Sequence, residues 1–170
     1  MFSNESIIRA ITVDDGIAKI SILEVPDRPG IAFQLFSAIS EKNIKVESIV
    51  QNVNRDNVND ITFTVPIEEA EEAKRITEVF ANEVNASSVA YDDDVARLSV
   101  IGAAIVANSQ VASKFFKALF DKGVNIQMIS TSEDKISCVI NKSLAKEALK
   151  QIYKEFEVNW VATPAPLSIL

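Results

Sequence analysis

The sequence predicts an α+β chain built as two ferredoxin-like βαββαβ modules in tandem, each an antiparallel four-stranded sheet with two helices on one face, one module being discontinuous. Three observations point there. The chain contains an internal duplication, each copy alternates strand-type and helix-type apolar periodicities, and the composition furnishes a core while omitting most catalytic side chains.

The duplication is visible residue by residue. Thr12-Val13-Asp14-Asp15-Gly16-Ile17-Ala18-Lys19-Ile20-Ser21-Ile22 aligns with Ala90-Tyr91-Asp92-Asp93-Asp94-Val95-Ala96-Arg97-Leu98-Ser99-Val100 at an offset of 78. Asn43-Ile44-Lys45-Val46-Glu47-Ser48-Ile49 answers to Gly123-Val124-Asn125-Ile126-Gln127-Met128-Ile129 at 80, and Ile61-Thr62-Phe63-Thr64-Val65 to Ile136-Ser137-Cys138-Val139-Ile140 at 75. A unit therefore occurs twice, with a shorter hairpin in the second copy.

Within the first copy, Ala18, Ile20 and Ile22 alternate with Lys19 and Ser21, a half-buried strand, and Ile31, Leu35, Phe36 and Ile39 then recur at helical spacing. Val46 to Gln51 and Asn59 to Val65 predict two strands joined by the turn Asn54-Arg55-Asp56-Asn57. Ile67, Ala70, Ala73, Ile76, Val79 and Phe80 predict a second helix after Pro66, and Ser87 to Tyr91 a fourth strand. The second copy repeats this through Val95–Ala103, Val111–Phe120, Ile126–Ser130, Ile136–Ile140 and Leu144–Phe156. Its fourth strand is displaced: by register, Ile7 to Val13 precedes the first copy as Ser87 to Tyr91 precedes the second. The expected modules are thus 15–91, and 92–158 closed by the N-terminal strand 6–14, with 159–170 as a C-terminal tail; Val158-Asn159-Trp160-Val161 competes for the closing role. Phe33, Phe36, Phe80, Phe115, Phe116, Phe120 and Phe156, mostly at helical spacing, are expected mainly in the core, as is Cys138.

Composition narrows the chemistry. The chain has 170 residues, 17 Lys+Arg against 24 Asp+Glu (net −7), no His, one Cys and four Gly. No His removes imidazole bases, nucleophile triads and His-ligated zinc. One Cys excludes an internal disulfide and a four-thiolate metal site, and four glycines leave little for a phosphate loop. No metal ligand set and no cofactor are expected; Asp92-Asp93-Asp94 reads as a solvated turn or a weak cation ligand without the rest of a calcium loop. Acidic charge without a basic cluster argues against nucleic acid and anionic lipid. No apolar run approaches a membrane span, and Met1-Phe2-Ser3-Asn4-Glu5 lacks a secretory pattern, so a cytoplasmic location is expected.

One segment has the geometry of a small-ligand site. In Val25-Pro26-Asp27-Arg28-Pro29-Gly30, proline sets the backbone and Gly30 permits close approach at a helix start, where free N–H groups and the helix dipole favour a carboxylate. Glu47, Gln51 and Asn52 follow on a strand, with groups for an ammonium and a polar side chain; the same string is also compatible with an ordinary tight turn. The matching turn of the second copy, Val106-Ala107-Asn108-Ser109-Gln110, has neither proline nor glycine, and Ser130-Thr131-Ser132-Glu133-Asp134 reads as a polar hairpin rim.

These strings, with Ile49-Val50-Gln51-Asn52-Val53, Asp60-Ile61-Thr62-Phe63-Thr64-Val65 and Met128-Ile129-Ser130-Thr131-Ser132-Glu133, closely resemble the tandem ACT regulatory region of the aspartate kinases over about residues 6 to 158. The resemblance implies one module inserted in the other, a homodimer through the modules, and lysine, threonine or both bound at module interfaces as feedback inhibitors of aspartate phosphorylation. It implies effector contacts by Asp27, Gly30, Ala32, Glu47, Gln51 and Asn52 of the first module, and by Asn125, Ile126, Ser130, Thr131, Ser132 and Glu133 of the second. Glu47 stands where Asp is common in that family. The kinase domain, with its Lys-Phe-Gly-Gly nucleotide loop, has no counterpart here, so no catalytic residue is expected and the partner would be a kinase catalytic chain or domain. Two other classes are compatible with the fold. One is a stand-alone tandem ACT regulator of another protein; the other is an acylphosphatase-like enzyme, for which Arg28 is the sole candidate phosphate ligand.

Overall fold

The computed structural model describes residues 8–53, 56–103 and 105–157. The expected tail 159–170, the Val158–Val161 run, residues 6 and 7, and half of the Asn54–Asn57 turn lie outside the described residues. The elements run β1 (Ile8–Asp14), β2 (Ile17–Pro26), α1 (Ile31–Ser40), β3 (Ser48–Val53), β4 (Val58–Pro66), α2 (Ala70–Val84), β5 (Ser88–Asp92), β6 (Val95–Gly102), α3 (Ser109–Asp121), β7 (Met128–Ser132), β8 (Lys135–Asn141) and α4 (Ala145–Glu155). Short 3-10 turns, Ile67–Glu69 and Lys142–Leu144, lead into α2 and α4.

The strands form two antiparallel sheets of four, ordered β3-β4-β2-β5 and β1-β6-β8-β7. Residues Gly16–Asp93 make one compact unit; the chain up to Asp15 and from Asp94 onward makes the other. Each is α+β and ferredoxin-like, and in the second the first position along the sheet is taken by β1, paired antiparallel with β6. In the first unit Ala18, Ile20, Ile22, Ile61, Phe63 and Val65 pack against Ile31, Leu35 and Ile39 of α1 and Ala73, Ile76 and Phe80 of α2. In the second, Leu98, Val100, Ile136, Cys138 and Ile140 pack against Val111, Phe115 and Leu119 of α3 and Ala148 and Ile152 of α4, with Ile11 of β1 completing the layer.

The duplication persists at the level of single hydrogen bonds. Ser21 and Thr62 hydroxyls pair at 2.8 Å, as do Ser99 and Ser137. Lys19 Nζ faces Asp92 at 3.9 Å across β2 and β5, and Arg97 donates to Asp14 at 2.7 Å across β6 and β1. Such half-exposed pairs contribute less than about 1 kcal/mol each. Their value is as register marks, which place β1 against β6 as β5 lies against β2.

Three features depart from the sequence-based expectation. β2 does not stop before Val25 but carries one extra residue between Ile22 and Val25, then re-pairs Val25 with Asn59 and Pro26 with Val58. At this bulge Glu24 takes φ 56, its N–H donates to Asp60 Oδ1 at 2.9 Å, and Leu23 O accepts from Ser87 N at 2.9 Å. Phe33 and Phe120 are not core residues but 76% and 80% exposed. Phe33 is two residues on from Ile31, on the far side of the Ile31/Leu35/Ile39 stripe, and Phe120 is one past Leu119 in the last turn of α3. Among the described residues no helix is long and apolar enough to cross a membrane, and none of their acidic or Cys side chains cluster in a group able to hold a metal ion.

Two outcomes follow from the packing. Deleting residues 1–14 strips β6 of one of its two neighbouring strands and Ile11 from the core, so amides of β6, β8 and α4 lose hydrogen-exchange protection while those of Gly16–Asp93 keep theirs; uniform loss in both units would refute this independence. Burial raises the Cys138 thiol from 9.0 to about 12, so the folded state binds this proton more tightly than the unfolded one. That contribution is complete below pH 9 and is lost as pH rises toward 12. Urea unfolding over this range therefore falls more steeply for the native chain than for Cys138→Ala, and the folded thiol does not react with a thiol reagent at pH 8.

Candidate functional site

The first unit carries a cradle where β2 delivers the chain to α1. Asp27 N donates to Asn57 O at 2.8 Å and Arg28 N to Pro26 O at 3.0 Å, folding the segment tightly back on the end of β4. Gly30 then caps α1 with φ 95, a left-handed conformation that suits glycine. The first helical bond is Gln34 N to Gly30 O at 2.9 Å, and no side chain caps the helix start. The N–H groups of the first turn therefore point out of the helix without intrahelical acceptors, and the positive end of the helix dipole lies there too.

A cavity of about 180 Å³ opens beside this turn, lined among others by Asp27, Arg28, Gly30, Ala32, Gln51 and Asn59. A water occupies about 30 Å³ of liquid, so the space is on the scale of an amino acid and small for a nucleotide. The contents are chemically polarised. Backbone donors and Arg28 suit a carboxylate, while the Asp27 carboxylate and two side-chain amides supply acceptors for an ammonium or hydroxyl.

Of the residues singled out in the first unit, Asp27, Gly30, Ala32 and Gln51 line this cavity together. Asn52 does not; it follows Gln51 in β3, and alternation turns it to the other face of the sheet. Glu47 precedes β3, its N–H bonded to Thr64 O at 3.0 Å and its carboxylate 3.3 Å from Lys45 Nζ. In the second unit Asn125 and Ile126 lie in the lead-in to β7, Ser130, Thr131 and Ser132 in β7, and Glu133 in the turn to β8. Asn125, Thr131, Ser132 and Glu133 are exposed, Ser130 is half-buried, and Ile126 packs on the core. Ser132 Oγ donates to Asp134 at 3.0 Å, holding the hairpin tip.

Asn59 belongs with the cavity residues although its sequence context suggests only a polar hairpin. It is 3% exposed and continues the buried alternation of Ile61, Phe63 and Val65 along β4, which is the signal that marks it. Its Nδ2 donates to Asp27 Oδ1 at 2.9 Å. Its Oδ1 is buried without a partner, one of two such side-chain oxygens among the described residues, the other being Thr64 Oγ1. Leaving such an acceptor unmet costs about 1–3 kcal/mol.

The equivalent helix start in the second unit is closed by its own chain. Asn108 caps α3, its Oδ1 accepting from Gln110 N at 3.1 Å while Val111 N donates to Asn108 O at 3.0 Å. The donors that stand open at Gly30 are partly consumed at Asn108. The acidic turn is also occupied: Asp94 Oδ2 accepts from Asn141 Nδ2 at 2.8 Å, and Asp92 faces Lys19.

ACT-domain profiles match residues 20–85 and 98–156. The chain is 41% identical over 155 residues to the aspartate kinase of Pseudomonas fluorescens (strain SBW25), covering 91% of this chain and 38% of that protein. It thus spans well under half the length of this curated relative. Among solved structures it resembles a chain of the aspartokinase alpha and beta subunits, with TM-score 0.82, 34% identity, and coverage of 89% of this chain and 99% of that one. It also resembles the ligand-free regulatory subunit of aspartate kinase from Thermus thermophilus, with TM-score 0.83, 32% identity, and coverage of 88% and 98%.

The two helix starts make opposite demands. Gly30→Ala meets open space, the nearest atom being Gln34 Nε2 at 4.0 Å, but forces a Cβ into the left-handed region at a cost of about 1–2 kcal/mol. Asn108→Ala removes a cap worth about 0.5–2 kcal/mol. Hydrogen-exchange free energies should fall by these amounts in the first unit for Gly30→Ala and in the second for Asn108→Ala; no loss in either would refute the assigned cap roles.

Proposed function

The chain belongs to the ACT-domain family as the regulatory region of an aspartate kinase, not its kinase domain, and from this membership we propose that it binds lysine or threonine and mediates feedback inhibition of aspartate phosphorylation. The observation that carries the reading is the uncapped start of α1 at Gly30 beside an amino-acid-sized cavity with acceptors on its wall. The effector's carboxylate takes the N–H groups of the first turn, and its ammonium takes the Asp27 side. Gln51 meets the polar part of the ligand. By the family resemblance, Ser130, Thr131, Ser132 and Glu133 are the effector-contacting positions of the second unit, with hydroxyls suited to threonine and a carboxylate suited to lysine. The family resemblance also carries over Ala32, Glu47 and Asn52 of the first unit and Asn125 and Ile126 of the second; of the first three only Ala32 lines the cavity.

The activity controlled is that of a kinase catalytic chain or domain in the cytoplasm, and the regulatory chains act as a homodimer through their ACT modules. An effector that binds one arrangement of the assembly better than another shifts the population between them. A coupling of about 1–3 kcal/mol, equal to a 5- to 150-fold change, is enough. The self-capped start of α3 supports a single cradle of this type per chain.

Titration calorimetry of the chain with lysine, threonine, methionine and leucine tests the reading. Saturable heat with lysine or threonine, accompanied by a rise in Tm, is expected. Absence of heat and of any thermal shift with all four overturns it.

A further inference from the structure

Asn59 does more than complete the wall of the cavity. Its amide is oriented without ambiguity, because the Asp27 carboxylate accepts only from the NH2 end. The oxygen end is consequently fixed as a buried acceptor with no protein donor. The β4 backbone holds it there, with Asn59 in register with Val25 of β2 and Val53 of β3. Asn59 lines the cavity, so a donor entering that space is a candidate partner for this acceptor.

The chemistry of that group follows from its neighbours. Gly30, Gln51 and Asn59 line one space of about 180 Å³. A carboxylate held at the first turn of α1 belongs to a ligand whose α-ammonium is two bonds away, so that cation reaches the part of the wall where Asp27 and Asn59 join. A carboxylate and an amide oxygen side by side match a positively charged group with several N–H donors. A hydroxyl has one donor and leaves one of the two acceptors unmet. Deepening the effector-binding reading above and resting on it, we propose that Asn59 is a specificity-determining residue. Its carbonyl oxygen accepts from the α-ammonium of the bound amino acid, while its NH2 group holds Asp27 on the same cation.

Calorimetry on the whole chain tests this with threonine and lysine and with their counterparts lacking the α-amino group, 3-hydroxybutanoate and 6-aminohexanoate. The native chain should prefer the amino acid by about 10- to 100-fold. Asn59→Leu, similar in size and without an acceptor, should reduce that preference to within about 3-fold of unity while unfolding without ligand at the same or a higher temperature. Asn59→Val provides the same test in a β-branched side chain should the leucine variant not fold. If a folded variant loses affinity for all four compounds equally, or keeps the native preference, Asn59 has only a structural role and the proposal fails while effector binding stands. If the native chain binds neither threonine nor lysine, effector binding fails and this proposal with it.

Discussion

The antiparallel ladder between β1 and β6 is the constraint from which the rest of the organisation follows. It joins residues 83 apart in sequence, as in the Asp14–Arg97 pair, and the unit Gly16–Asp93 lies within that detour. Chain entropy would resist closing so long a loop if it were loose, though the cost grows only logarithmically with length. Here the loop is folded with its ends already side by side. Lys19, near the start of β2, is in register with Asp92 at the end of β5, so the inserted unit hands the chain back close to where it received it. An insertion of this kind leaves the interrupted sheet intact because each unit retains its own core.

Duplication preserved the scaffold and released the ends of the helices. The buried hydroxyl pairs, the cross-strand ion pairs and even single backbone bonds recur: Ile67 N to Gly16 O and Lys142 N to Asp94 O are both 2.9 Å, at corresponding positions. These groups satisfy buried polar atoms or set register, tasks that any copy of the fold faces. The starts of α1 and α3 face no common requirement. One keeps its donors open behind a glycine, and the other consumes a donor with Asn108. The difference between a ligand cradle and a structural turn is thus concentrated in a few backbone N–H groups, not in the sheet beneath them.

The element order was legible because period-two and helical patterns alternate cleanly, and the displaced strand because Asp14 and Asp92 occupy the same place in the repeat. Gly30 stood out because so few glycines are present. Other features are decided by tertiary context. The bulge in β2 has no glycine to announce it and depends on Asp60, 36 residues away, to receive the Glu24 N–H. Phe33 and Phe120 look like core residues by type, but their angular position on α1 and α3 exposes them. Asn59 was hidden among the asparagines of a hairpin, and its burial follows from the strand phase of Ile61 and Phe63 instead of its polarity. Glu47 and Asn52 match the family strings, yet only Gln51 of that strand segment lines the cavity.

The bulge has a further consequence, best expressed as parity. Before it, the core takes even-numbered residues of β2, Ala18, Ile20 and Ile22; after it, the core takes Val25. One added residue shifts the inward set from even to odd numbers, and the bulge absorbs it: Ile22 and Val25 are three apart where their partners Ile61 and Asn59 are two apart. Removing one residue between Ile22 and Val25 would restore a regular strand with Val25 still opposite Asn59, at the loss of the Glu24 N–H bond to Asp60, whereas removing two would leave one residue step against two and turn Asp27 away from Asn59. Length variation here is therefore not equivalent to variation in an ordinary surface loop. Sequences that lose the bulge residue would keep both fold and cradle, whereas a second lost residue would reverse the alternation beyond it, giving ACT modules that retain the sheet without the same means of sensing.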